Sequence, residues 1–107
     1  MKINIMKESI PYITDVTIAG ITFQFEFTYN SYDKRVYVTL YDIEDNLIYP
    51  NEPILFGIPL WFNKLVDEKG NFNKKYPQKY IIPNTLDRKA VKIDYENIDK
   101  IELLVEE

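Results

Sequence analysis

Between Ile21 and Asp42 the chain reads Ile-Thr-Phe-Gln-Phe-Glu-Phe-Thr-Tyr-Asn-Ser-Tyr-Asp-Lys-Arg-Val-Tyr-Val-Thr-Leu-Tyr-Asp, two strictly alternating runs on either side of one polar loop. Side chains along a strand point to opposite faces in turn. Ile21, Phe23, Phe25, Phe27 and Tyr29 therefore share one face, and Thr22, Gln24, Glu26 and Thr28 the other. With Tyr29 opposite Val36 across the loop, Phe27 faces Val38 and Phe25 faces Leu40, so the apolar faces of the two strands coincide. A slip of one residue would bring polar side chains onto the buried face. The same logic extends backwards. With Ala19-Gly20 as a two-residue turn, Ile18 faces Ile21 and Val16 faces Phe23, and three consecutive strands agree on one register. That agreement commits the chain to an antiparallel sheet with one apolar face.

The remaining segments are shorter. A turn at Asp45-Asn46 leads into a fourth strand that Pro50 is expected to end. In the apolar stretch that follows, Pro59 suits the first turn of a helix, Trp61, Phe62, Leu65 and Val66 share a helical face, and Gly70 suits the stop. The pattern predicts a short helix near residues 59–69, with an irregular loop as the competing reading because the helix would be barely long enough. Residues 71–78 read as a polar, mobile surface connector. Tyr80-Ile81-Ile82 reads as a strand stopped by Pro83. Val91, Ile93 and Tyr95, then Ile101, Leu103 and Val105, read as two closing strands that bend near Asn97 and Asp99. Leu104 implies that the last strand is covered on both sides. The expected fold is all-β, a small antiparallel β-meander forming a barrel or sandwich, as a single β-domain over residues 1–107.

A chain of 107 residues removes about 65% of its unfolded surface from water on folding, enough for a modest core without metal or disulfide. It has no cysteine, in keeping with assembly in a reducing compartment. Neither a signal peptide nor a bilayer-spanning run is expected, since Asn4, Lys7 and Glu8 interrupt the first apolar residues. With 17 acidic and 13 basic residues the net charge is -4, which opposes strong attraction to DNA or anionic lipid. No membrane partner and no specific nucleic acid is therefore expected. The nine tyrosines combine apolar area with a hydroxyl, which suits half-wet surfaces and protein interfaces.

With no histidine and no cysteine, the usual zinc sites, the Ser-His-Asp arrangement and Cys-His nucleophile pairs are unavailable. The run Asp42-Ile-Glu-Asp-Asn46 lacks the glycine and the distal glutamate of a calcium loop and reads as a hairpin turn. The three glycines, Gly20, Gly57 and Gly70, are too dispersed for a phosphate loop. No catalytic residue, cofactor or metal is expected, and the chain reads as a non-enzyme.

Several stretches resemble the baseplate plug proteins of contractile-tailed phages and phage-tail-like bacteriocins. They are Ile10-Pro11, Val16-Thr-Ile-Ala-Gly-Ile-Thr-Phe23, Phe27-Thr-Tyr-Asn30, Tyr37-Val-Thr-Leu-Tyr-Asp42, Pro53-Ile-Leu-Phe-Gly57 and Asn97-Ile-Asp-Lys-Ile-Glu-Leu-Leu104. The chain departs from that pattern at Val36-Tyr37, where a tryptophan is usual, and over the middle segment from Trp61 to Gln78. The resemblance implies a structural protein of the virion tail baseplate, a plug or hub component near the distal end of the tail tube. Its implied partners are other baseplate, hub and tail-tube proteins, in multiple copies within a symmetric assembly put together in the bacterial host cytoplasm. Candidate interface residues come from pattern alone: Lys34 and Arg35 at the loop tip, Tyr37 and Tyr41 on the outward strand face, and Trp61 and Phe62. The competing reading is a β-sheet binding module for a host-surface or carbohydrate ligand, with Tyr37 and Tyr41 as its platform.

Overall fold

The computed structural model describes residues 1–106, which form two antiparallel sheets. The larger sheet is a meander of β2 (Tyr12–Ile18), β3 (Ile21–Tyr29), β4 (Val36–Asp42) and β5 (Leu47–Pro53), in that spatial order. The smaller places β7 (Ile101–Val105) between β1 (Lys2–Asn4) and β6 (Ile81–Thr85). One continuous core lies between them, with Phe23, Phe25, Phe27, Val38 and Leu40 from the meander and Ile3, Ile81, Ile101 and Leu103 from the smaller sheet. The sheets do not close into a barrel; the architecture is a sandwich.

The register of the meander is the one that the alternation demands. Tyr29 pairs with Val36, Phe27 with Val38 and Phe25 with Leu40. Ile18 pairs with Ile21 and Val16 with Phe23. Ala19 and Gly20 both have positive φ, 52° and 81°, as the two central residues of a hairpin turn with the twist of its strands must. Only the ends of the apolar face escape burial: Ile21 and Tyr29 are exposed, while Phe25 and Phe27 are fully enclosed.

Both prolines expected to end strands lie within them. Pro50 sits inside β5 and Pro83 inside β6, and each strand is at a sheet edge, where a missing N–H breaks no ladder. Around Pro50, β5 is irregular, with register shifts against β4 and a φ of 50° at Asn51. The helix near residues 59–69 does not form. The segment is a chain of turns fastened by backbone bonds to the smaller sheet, Gly57 N–H to Pro83 C=O and Leu60 N–H to Ile81 C=O, both 2.9 Å. Gly70 does not end a helix but takes the left-handed position of a tight turn that pairs Val66 with Phe72. There Asp67 Oδ1 accepts the N–H groups of Lys69 and Asn71, both at 2.9 Å. The β4–β5 turn repeats this pattern, with Asp42 Oδ1 accepting from Glu44 and Asn46, and Asp45 at φ 67°. Asp-x-x-Gly-Asn and Asp-x-x-Asp-Asn thus build one turn twice. The expected helix is already broken upstream of that turn, where Trp61 takes a left-handed φ of 55°.

Residues 91–94 are irregular rather than a strand. Asp94 caps a 3-10 helix, Tyr95–Lys100, in a reciprocal arrangement with Asn97, which diverts the chain before it can pair. The polar connector is also less superficial than expected, because Tyr76 and Pro77 are buried and Gln78 Nε2 donates to the carbonyls of Asn73 and Tyr76. On β7 the expectation of cover on both sides holds: Glu102 is buried beside half-buried Leu104. The Glu102 carboxylate lies 3.3 Å from Lys2 Nζ and 4.0 Å from Arg88 Nη2.

Asp42 supplies a test of the turn geometry. Its carboxyl is held below its ordinary range first by the Asn46 side-chain amide, then by the Asn46 and Glu44 backbone N–H groups. A carboxylate favoured in the folded state stabilises fully above its unfolded pKa, and that contribution is lost as pH falls through the folded value. Asp42→Asn is expected to flatten part of the acid limb in denaturant melts below about pH 5. Parallel acid limbs for the two proteins would show that the turn is not held by this carboxylate.

Candidate assembly surface

The β3–β4 tip is a built structure rather than a loose loop. Asn30 Oδ1 accepts from Tyr32 N–H at 2.8 Å, Asp33 Oδ1 accepts from Arg35 N–H at 2.9 Å, and Lys34 N–H donates to Asn30 C=O at 2.9 Å. Lys34 carries the left-handed conformation, φ 64°, that lets the chain reverse. Its carbonyl accepts the Tyr95 N–H at 2.7 Å, and the rings of Tyr29 and Tyr95 meet at 4.5 Å, so the tip is fixed to the C-terminal 3-10 helix. From the other side Lys7 Nζ sits 5.1 Å above the Tyr95 ring.

Tyr29, Tyr32, Tyr37 and Asn51 line a hollow of about 580 Å³ beside this tip. Tyr32 is 96% exposed, and Tyr37 is half-buried with its hydroxyl donating to Asp33. That hydrogen bond is the main reason that the Asp33 carboxyl lies below its ordinary range and the Tyr37 phenol above it. Four residues further on, Tyr41 stands on the same outward face and donates to Glu26 at 3.2 Å. Partial burial, then the Glu26 hydrogen bond, raises its phenol. The outward face is thus aromatic but already organised, its hydroxyls engaged with acids at the margin of the sheet.

Of the sequence-derived candidates, the fold brings Lys34, Arg35 and Tyr37 together at the tip and sets Tyr41 along the same strand. Phe62 is 57% exposed on the 54–80 segment, apart from that group and outside the hollow. Trp61 is a core residue: only 2% exposed, it meets Phe25 edge-on at 5.5 Å and is not available as a surface contact in this fold. Its backbone N–H donates to Glu52, whose carboxyl is raised above its ordinary range by burial. Tyr29, Tyr32 and Asn51 carry no signal in the sequence that sets them apart as surface contacts. Strand parity puts Tyr29 on the buried face, but the core ends before it.

Comparison with known families decides the class of assembly. Residues 1–105 match the family model described as cyanophage baseplate Pam3 plug gp18. The chain belongs to this baseplate plug family. The match spans both sheets and the irregular 54–80 segment, so it concerns the sandwich as a whole. Membership makes the protein a phage structural component of the tail baseplate, with other baseplate proteins as its partners. No curated protein and no solved structure matches the chain.

Proposed function

We propose that this plug protein occupies the baseplate hub near the distal end of the tail tube, in several copies, where it helps to close or connect the central channel. The observation that carries the reading is the family match from residue 1 to residue 105. The role is structural, not catalytic, in keeping with a sequence without histidine or cysteine and with an outward face whose hydroxyls are tied to acids. Assembly takes place in the host cytoplasm, with which the lack of disulfides agrees. Hub and tube subunits would cover the exposed tyrosines of the β3–β4 tip, in an interface above about 1,000 Å² in total.

The test is the intact particle, by electron cryomicroscopy or by cross-linking of purified tails. The expected result is a fixed stoichiometry with the tail tube and cross-links from Lys34 to hub or tube subunits. A chain absent from tails, or located only at the periphery of the baseplate, would remove the hub reading.

A further inference from the structure

The sandwich has sheet edges at β1, β2, β5 and β6, and they differ in how they are protected. The β6 edge is occupied, because its Ile81 and Pro83 carbonyls accept from Leu60 and Gly57. The β5 edge is interrupted by Pro50, Pro53 and the left-handed Asn51. β1 is three residues long. β2, at seven residues, contains no proline, and among the described residues its only strand partner is β3.

Its pairing fixes which groups are free. Ile18 and Ile21 flank a two-residue turn and exchange backbone hydrogen bonds, so Val16, Thr14 and Tyr12 do likewise with β3. Ile13, Asp15 and Thr17 are the intervening residues, and their N–H and C=O groups point away from β3 to the open edge. The close approach of Thr17 and Thr22, with hydroxyls 2.7 Å apart, is what a non-hydrogen-bonded pair produces. Beside this edge a groove of about 490 Å³ runs between β1 and β2, floored by Ile3, Met6, Tyr12 and Val16. Ile13 is 54% exposed on the outward face, and Asp15 makes no ion pair among the described residues.

We infer that β2 receives an extended segment of a different baseplate protein, which adds a strand to the meander and fills the groove. This rests on the baseplate reading and deepens it by naming the contact. A second copy of this chain is disfavoured as the occupant. The antiparallel self-pairing that uses the free groups of Ile13, Asp15 and Thr17 together sets Asp15 opposite its own copy, and like charges directly opposite destabilise a pair. Joining β2 to the β5 edge of another copy meets Pro50 and Pro53. The incoming segment should carry apolar residues at alternate positions, facing the groove, and a lysine or arginine on the outward face beside Asp15.

Amide hydrogen exchange in the isolated protein and in the intact particle tests this directly. The amides of Ile13, Asp15 and Thr17 should exchange fast in the isolated protein and about 100-fold or more slower in the particle, whereas those of Thr14 and Val16 are slow in both. Asp15→Pro removes an N–H that β3 does not use, so the variant should keep its fold but lose at least about tenfold in incorporation into tails. Asp15→Lys, which keeps the N–H and reverses the charge, should also incorporate poorly. Should Asp15→Pro fail to fold, the exchange comparison still decides. Unprotected edge amides in a particle that contains the chain would overturn the inference and leave the hub reading standing, while a chain missing from the particle would overturn both. Concentration-dependent dimers of the isolated protein that Asp15→Pro abolishes would assign the edge to a second copy and overturn the choice of partner.

Discussion

Phe25→Ala is expected to lower the unfolding free energy by about 3–5 kcal/mol. Phe25 is fully enclosed at the middle of β3, paired with Thr14 on one side and Leu40 on the other. Its ring meets Phe27 at 6.3 Å and Trp61 at 5.5 Å, both edge-on, so truncation removes contacts to the sheet and to the 54–80 segment together. A domain of this size has roughly 5–15 kcal/mol of stability in total, and the variant would therefore sit near the limit of folding. Gln24, its neighbour on the outward face, provides the comparison: Gln24→Ala should change stability by no more than about 0.5 kcal/mol. Denaturant melts followed by the fluorescence of the single tryptophan, which is buried against Phe25, measure both. A loss below about 1 kcal/mol for Phe25→Ala would mean that the inward face is not packed as described.

The same residues show why the meander was legible in the sequence. Register across β2, β3 and β4 follows from period-2 alternation and one turn dipeptide, which are local quantities. The smaller sheet depends on information that is not local. β7 lies between β1, from the N-terminus, and β6, and Ile3 pairs with Leu103 across almost the whole chain. Three residues of Lys-Ile-Asn carry too little pattern to announce a strand. Proline is ambiguous for a related reason: Pro50 and Pro83 read locally as strand ends, yet they are acceptable inside strands at sheet edges, and whether a strand is an edge is a property of the topology.

The candidate surface divides along the same line. Lys34, Arg35, Tyr37 and Tyr41 were placed by strand parity and loop position, and the structure groups them as that parity requires. In the sequence Trp61 reads as a surface aromatic on a helix, but its left-handed backbone, φ 55°, breaks that helix, and the indole packs edge-on against Phe25 in the core. The free edge of β2 was implicit in the three-strand register. It could be recognised as exceptional only once the other edges were seen to be covered, proline-bearing or short.

Trp61 carries the second large effect, and an unusual order of substitutions. Its ring is 2% exposed, packed edge-on against Phe25, and Trp61→Ala should cost about 3–5 kcal/mol for the lost burial. Its backbone, however, lies in the left-handed region at φ 55°, which costs a residue with a Cβ roughly 1–2 kcal/mol. In the native protein the packed indole and the N–H bond to Glu52 hold that conformation in place. Alanine keeps the strain and loses the ring; glycine loses the ring but not the freedom to adopt this φ. Trp61→Gly should therefore be less destabilised than Trp61→Ala by about 1 kcal/mol, the reverse of the order in a helix, where glycine is the worse residue by a similar amount. Since both variants lack the tryptophan, their melts are followed by far-ultraviolet circular dichroism. Alanine proving the more stable of the two would show that residue 61 is not left-handed in solution and would return the 59–69 segment to the helical reading that its apolar spacing first suggested.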